Sequence, residues 1–182
     1  MEPNSDTQPA TLESVWAVLR ELAEKQAETD RLQKETAKQI KDVNQQIGGI
    51  SKSNGLFAEA YFFNSFEQGE QTFFGEKFDA IRKNLKGPAT DDEFDVVMLN
   101  GHSVGIVEVK YKARDNDISK VLKKAVTFRE NFPSYANHRI YLGYAPLAFD
   151  DHIEQECIEN GIAVIKQVGD TVVINDEHLK AF

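Results

Sequence analysis

A seven-residue repeat of apolar side chains over residues 12–50 limits how this chain can fold more than any other feature of its sequence. The two repeating positions form a seam that is aliphatic at both ends and polar in the middle. In chain order, the seam consists of Leu12, Val15, Leu19, Leu22, Gln26, Thr29, Gln33, Thr36, Ile40, Val43, Ile47 and Ile50. Such a narrow stripe on an otherwise polar helix offers too little apolar surface to hold the helix against its own domain. It is typical of a helix that packs against other helices.

The repeat favours a coiled coil over residues 11–50, in which further copies of the same chain are the partners. The alternative is a single exposed amphipathic helix that folds back on the rest of the protein. The polar Gln and Thr layers help to fix register and partner number, but they leave two, three or four helices open. Gly48 and Gly49 predict the end of the helix, and Ser51 to Asn54 a joint. Residues 1–10 predict a flexible tail.

Residues 51–182 have the usual size of one domain and alternate between helical and extended patterns. Helices are predicted at 54–66, 117–132 and 150–160, and strands at 72–81, 93–100, 102–112, 139–145, 162–167 and 171–174. These elements follow one another in the order αβββαβαβ, with one further strand at the end, and both hairpins and crossover helices occur among them. The order therefore predicts an α/β fold, of the α+β kind, with a mixed sheet flanked by helices.

Composition predicts a soluble, cytoplasmic protein with no membrane partner. The 182 residues have a net charge of −9, one cysteine, and no apolar run near the length of a membrane-spanning helix. A single cysteine excludes an intramolecular disulfide and a Cys-rich zinc site, and the polar N-terminus is unlike a secretory signal. The acidic balance argues against non-specific coating of nucleic acid, although it leaves a local basic groove open.

Asn100 and Gly101 lie between two β-rich segments, which is the strongest short-range signal for a two-residue hairpin turn. That turn would pair residues whose numbers add up to 201, so that Asp95 lies diagonally beside Glu108. Lys110 would project from the same face as these two carboxylates, because side chains alternate along a strand. The opposite face would be an apolar core layer of Phe94, Val96, Val107 and Val109.

Asp95 and Glu108 are candidate metal ligands. Neighbouring carboxylates repel each other unless a cation lies between them, and a hard divalent ion such as Mg²⁺ prefers oxygen ligands. Lys110 would orient or deprotonate a metal-bound water, or stabilise the charge that develops on a phosphate. The alternative is an ordinary hairpin edge with a Glu–Lys ion pair and an incidental aspartate.

Glu59 lies on a predicted inward-facing helical stripe with Leu56, Ala60 and Phe63. A glutamate in such a stripe is costly to bury unless it is paired or bound to a metal. Glu59 is therefore a further candidate ligand, or a partner for Lys110. The alternative places it at the margin of the stripe, where its carboxylate reaches solvent.

A basic segment follows the hairpin, since residues 110–124 have a net charge of +4 in an otherwise acidic chain. Three of its lysines lie opposite the helical stripe of Ile118, Leu122 and Ala125, and they are predicted to face outward. The candidate DNA-binding residues are Lys112, Arg114, Lys120, Lys123 and Lys124. They would contact phosphates beside the metal site, and the alternative is a solvated helix face.

A helix with Glu59, strands bearing Asp95 and the Glu108-Val109-Lys110 triplet, and a following helix and strand resemble the PD-(D/E)XK nuclease superfamily. More narrowly, the arrangement resembles bacterial proteins that join a coiled-coil N-terminus to such a domain. The resemblance covers about residues 52–167 and implies a restriction-endonuclease-like αβββαβ core.

The resemblance also implies a set of site residues. Asp95, Glu108 and the backbone carbonyl of Val109 would bind Mg²⁺ or Mn²⁺, Lys110 would be the catalytic lysine, and Glu59 the helix glutamate of many members. The proline that precedes the aspartate in the family is replaced by Phe94.

The expected function is therefore metal-dependent endonucleolytic cleavage of DNA by direct attack of water, without a covalent intermediate. The coiled coil would bring several catalytic domains together. The alternative is a catalytically inactive scaffold with the same fold, which binds DNA or protein and oligomerises through the coiled coil.

Overall fold

The computed structural model of the protein describes residues 11–68, 72–169 and 171–182. Its α-helices and strands, in chain order, are α1 (Leu12–Gln68), β1 (Thr72–Phe73), β2 (Glu76–Lys77), β3 (Ala80–Lys86), β4 (Glu93–Leu99), β5 (Ser103–Lys112), α2 (Asp117–Asn131), β6 (Arg139–Ala148), α3 (Asp151–Asn160), β7 (Ala163–Val168) and β8 (Thr171–Asn175). The chain divides into two compact units, Met1–Ile50 and Ser51–Phe182. The tail predicted for residues 1–10 lies outside the described residues.

Helix α1 continues through Gly48 and Gly49, so the predicted helix end and the predicted joint at Ser51 to Asn54 are wrong. Neither glycine has a positive φ. A glycine costs a helix about 1 kcal/mol relative to alanine, whereas a helix end requires a backbone or side-chain group that replaces the lost hydrogen bonds. The glycine pair therefore weakens the helix locally without ending it.

The apolar side chains of the seam are exposed to solvent in the single chain. Their exposed fractions range from 45% for Val15 to 78% for Leu12. Trp16, Val18 and Leu32, which flank the seam, are also at least half exposed. Monomeric proteins seldom leave a row of apolar side chains of this length exposed.

The Ser51–Phe182 unit is built on a six-stranded mixed sheet, which confirms the predicted class. The strands lie in chain order from β3 to β8; β5, β6 and β7 are parallel, and the other neighbours are antiparallel. Helices α2 and α3 connect the parallel strands, and their apolar residues share one buried cluster. The last turns of α1 contribute Ala58, Phe62 and Phe66 to the second cluster.

The β4–β5 hairpin has a longer turn than the sequence predicts. Val96 pairs with Val107, so facing residues add up to 203 rather than 201. The Asn100 side chain explains the difference, because its Oδ1 accepts hydrogen bonds from the backbone N–H groups of His102, at 2.8 Å, and Ser103, at 2.6 Å. This Asx-type arrangement closes the turn two residues later than a type I′ turn would.

The segment predicted as one strand at 72–81 forms a small two-stranded hairpin, β1–β2. Phe74 and Gly75 close it, with φ values of 54° and 70°. Strand β3 begins only at Ala80 and pairs with β4 at the edge of the main sheet.

Candidate active site

The shifted register leaves the acidic face of the hairpin intact, because a shift of two residues keeps every side chain on its original face. If the register of Val96 with Val107 is continued by one residue, Asp95 lies directly opposite Glu108 rather than diagonal to it. Phe94 departs from the prediction: it packs in the cluster of α2 and α3, whereas Val96 lies in the other cluster. The strand therefore loses its regular alternation beside Asp95.

Where the regular pairing of β4 with β5 ends, the Asp95 side chain replaces the β4 backbone as the hydrogen-bond acceptor for β5. The last paired residues of β4 and β5 are Val96 and Val107. Beyond them, Oδ2 of Asp95 accepts a hydrogen bond of 2.8 Å from the backbone N–H of Val109. The carboxylate is thus held by the backbone of the same strand that bears Glu108.

Asp95 and Glu108 are both largely buried, with side-chain exposures of 13% and 9%. Burial, and next the Glu108 carboxylate, raise the pKa of Asp95 to about 7, although the Val109 N–H and Lys110 act in the opposite direction. A buried carboxyl whose pKa is raised by burial and by a neighbouring carboxylate belongs to a site that a cation would stabilise.

Lys110 lies against both carboxylates. Its Nζ is 2.5 Å from Oε1 of Glu108 and 3.9 Å from Oδ2 of Asp95. Partial burial lowers the pKa of Lys110, but the charge of Glu108 and its hydrogen bond outweigh burial and raise the pKa above the ordinary value. In the protein without a bound metal, Lys110 is therefore a cation and not a free base.

Lys124 is buried, so the prediction that it faces outward is wrong. The buried stripe of α2 contains Val121 and Phe128, and Lys124 lies between them. Its Nζ donates a 2.6 Å hydrogen bond to the Glu93 carbonyl and lies 3.5 Å from Oε2 of Glu108. The carboxylate pair therefore has a second lysine beside it.

The residues present fit a divalent cation. Oε2 of Glu108 is buried and has no hydrogen-bond partner within the described residues. Mg²⁺ is commonly held by one or two protein carboxylates together with water, so Asp95 and Glu108 suffice as side-chain ligands. Across residues 11–68, 72–169 and 171–182, no three or more His, Cys, Asp or Glu side chains are grouped closely enough to hold a metal.

Glu59 lies at the margin of the buried stripe rather than within it. The stripe consists of Ala58, Phe62 and Phe66, and the predicted stripe of Leu56, Glu59, Ala60 and Phe63 is therefore rotated from the observed one. Glu59 borders a surface pocket with Lys83 and Asn84 of β3. In the described part of the chain no hydrogen bond or ion pair joins it to the carboxylate pair, but its charge contributes to the raised pKa of Asp95.

A pocket of about 170 Å³ opens beside Glu108. Its lining residues are Asp92, Glu108, Lys120, Lys123, Lys124 and Thr127. Lys120 and Lys123 are exposed, as predicted, and so are Lys112 and Arg114. Three of the five predicted basic residues thus meet at this pocket, whereas Lys112 and Arg114 lie outside its lining.

Asp117 is a buried residue of the site region that the sequence did not identify. Its Oδ2 accepts hydrogen bonds from the Tyr144 hydroxyl, at 2.8 Å, and from the backbone N–H of Arg114, at 3.1 Å, and Oδ1 lies 3.1 Å from Lys120 Nζ. Its charge also raises the pKa of Lys110. An acidic residue in the first turn of a helix is so common that the sequence offers no signal for this role.

The chain matches no family model, no curated protein and no solved structure. None of the helices in the described residues is both long enough and apolar enough to cross a membrane.

Proposed function

We propose that the Ser51–Phe182 unit is a metal-dependent DNA endonuclease of the PD-(D/E)XK type, assembled through a coiled coil of residues 11–50. The observation that supports this function best is the buried pair of Asp95 and Glu108, with Lys110 hydrogen-bonded to Glu108. Burial of two like charges side by side is costly, so this pair differs from the exposed charges of an ordinary hairpin edge.

The residues that would hold Mg²⁺ or Mn²⁺ are Asp95, Glu108 and, through its backbone carbonyl, Val109. Such an ion, when bound, acts as a Lewis acid on a phosphate oxygen and lowers the pKa of a bound water. Lys110 is protonated beside Glu108, so its role is to stabilise negative charge on the phosphate rather than to remove a proton from water. The backbone N–H of Val109 keeps the Asp95 carboxylate in place.

The substrate would lie along the pocket beside Glu108. Lys120 and Lys123 border this pocket with exposed side chains, and they supply the positive charge that a phosphodiester requires. Lys112 and Arg114 would contact phosphates farther along the strand. The binding is therefore expected to depend on salt and not on base sequence.

Self-association would occur through the exposed seam of α1. Its apolar side chains, such as Leu12, Ile40 and Ile50, are more than half exposed in the single chain. Helices of a coiled coil bury such side chains against each other. Several nuclease units in one assembly could then act on two DNA strands together.

A second candidate function is that of an inactive scaffold, and the position of Lys124 favours it. With one lysine at each oxygen of Glu108, the carboxylate is already neutralised without a metal. The acidic net charge of −9 points the same way, because it weakens the attraction of DNA to the protein as a whole.

A cleavage assay distinguishes the two functions. Purified protein is incubated with supercoiled plasmid and with single-stranded DNA, in Mg²⁺, in Mn²⁺ or in EDTA. We expect cleavage that requires the metal and falls roughly 100-fold or more in Lys110→Ala and Glu108→Gln. Lys166→Ala and Glu154→Gln, which disrupt an ion pair between β7 and α3, are the matched controls and should cleave normally.

Equal cleavage by Lys110→Ala and the wild type would show that the activity does not come from this site. Absence of cleavage by folded wild-type protein, also with branched DNA, would favour the scaffold.

A further inference from the structure

We propose that Lys124 is an internal counter-ion of Glu108, which competes with a divalent cation for the Oε2 side of this carboxylate. The inference rests on the proposed metal site and adds to it a residue that limits metal affinity. It concerns a lysine of α2 that lies outside the hairpin motif.

The surroundings of Lys124 are those of a fixed ammonium group, not of a mobile surface lysine. The residue is only 8% exposed. Its Nζ donates to the Glu93 carbonyl at 2.6 Å, lies 3.8 Å from Oδ1 of Asp92, and stands 5.2 Å from the centre of the Phe94 ring. A buried ammonium is stable only when groups of this kind compensate its lost hydration.

Lys124 lies close to Glu108 but does not form a strong hydrogen bond with it. Lys124 Nζ is 3.5 Å from Oε2, which is too long for a strong hydrogen bond, and Oε2 has no other hydrogen-bond partner within the described residues. Lys110 already occupies the other oxygen, Oε1. Oε2 is therefore the oxygen that a metal would use, and Lys124 is the charge that a metal would meet there.

The charges explain why the two cations exclude each other. Glu108 has a lysine at each of its oxygens, at 2.5 Å and 3.5 Å, so its negative charge is balanced before any metal arrives. A divalent ion at Oε2 would lie within a few ångströms of the Lys124 ammonium. In a partly buried site, repulsion over such a distance lowers affinity by more than about tenfold.

The experiment measures Mn²⁺ binding to the full-length protein by isothermal titration calorimetry, without DNA. The variants are Lys124→Met, which keeps the length and apolar stem of the side chain, and Lys123→Met. Lys123 is the adjacent residue but is exposed, so the control removes the same charge from the same helix. We expect Lys124→Met to bind Mn²⁺ about tenfold or more tightly than wild type. Lys123→Met should change the affinity by less than about threefold, because water and salt screen an exposed charge.

Circular dichroism and urea unfolding establish that each variant is folded. Lys124→Gln is the second variant, because its amide N–H can still donate to the Glu93 carbonyl. A merely structural role of Lys124 predicts weaker metal binding in both variants, since a disordered site loses affinity. Tighter binding is therefore specific to competition, and Mn²⁺-dependent thermal stabilisation should increase with it.

The possible outcomes separate this inference from the proposed function. Tighter Mn²⁺ binding by the Lys124 variants supports the inference, including the case in which wild type shows no measurable binding. If wild type binds Mn²⁺ and the folded Lys124 variants bind it with equal or lower affinity, the inference is overturned but the proposed metal site is not. No binding by wild type or any variant at millimolar Mn²⁺ overturns the metal site and the inference together.

Discussion

The carboxyl group of Asp95 has an electrostatic cost in the folded protein. Its carboxylate is buried next to Glu108, and these two causes raise its pKa from 3.8 to about 7. In the unfolded chain the same group ionises near pH 4. Between these two values the carboxyl is ionised only in the unfolded state. The free energy of unfolding that Asp95 contributes is therefore present below about pH 4 and lost as the pH rises toward 7.

Replacement of Asp95 by Asn should stabilise the metal-free protein at high pH and not at low pH. Asn keeps an oxygen that can accept the Val109 N–H, but it has no charge to bury. At pH 8 in EDTA we expect the free energy of unfolding to increase on the order of 2 kcal/mol, and near pH 4 to change little. Urea unfolding at pH 4, 6 and 8 measures this difference.

At pH 8, Mg²⁺ or Mn²⁺ should change which protein is the more stable, wild type or Asp95→Asn. A bound ion stabilises only a protein whose carboxylate can hold it, so wild type should gain stability and Asp95→Asn should not. A stability difference that is the same at every pH and with every metal would contradict the assignment of a raised pKa to Asp95.

At the scale of the elements, the sequence predicts most of the sheet and its helices, because their signals are local. The ranges predicted for α2, α3, β4 and β5 differ from the observed bounds by a residue at most. Each of these elements has a clear hydrophobic period and a turn signal at its ends.

The predictions are wrong where two local conformations of the chain are nearly equal in energy. Val121 and Leu122 are both aliphatic, and only the contacts of the folded protein determine that Val121 faces the core and brings Lys124 inward with it. Asn100 can close either a two-residue turn or the longer one observed. The sequence therefore identified the face that bears Asp95 and Glu108, but not the second lysine behind it.

Substitutions at Gly48 test whether α1 is continuous. Apart from the adjacent residues and the backbone of the helix itself, nothing lies within 4 Å of the position that a Cβ would occupy, so alanine fits without a clash. We expect Gly48→Ala to stabilise this part of the helix by about 0.5–1 kcal/mol, and Gly48→Pro to destabilise it by about 3 kcal/mol. Hydrogen exchange of the neighbouring amides measures both effects. A turn at this position would tolerate proline, so unchanged exchange in Gly48→Pro would contradict a continuous helix.

At the scale of the whole molecule, the residues of the buried core differ from those of the proposed coiled coil. Both buried clusters of the described chain are formed by residues of the Ser51–Phe182 unit. The apolar residues of 11–50 are exposed instead. A change in the seam should therefore alter the assembly and leave the sheet intact.

The double variant Ile40→Asp, Ile47→Asp should convert the assembly to single chains of 20.5 kDa. Both side chains occupy the seam and are more than half exposed, so the charges would be buried only in the assembly. Sedimentation equilibrium measures the mass, and thermal unfolding measures the stability of the sheet. Lys38→Asp with Gln45→Asp, on the opposite side of the helix, is the control. A wild-type protein that remains a single chain at all concentrations would contradict the coiled coil.

The one cysteine of the chain, Cys157, is fully buried in α3, and burial raises the pKa of its thiol to about 12. Maleimides and other thiol reagents attack the thiolate of accessible cysteines, so the folded protein should be inert toward them. The wild-type chain can therefore be used for site-directed labelling without first replacing its native cysteine. A cysteine introduced on the exposed surface of α1 would be the only group to take up a spin label or a fluorophore. The separations between labels on neighbouring copies would then reveal how many helices associate and in which direction they run.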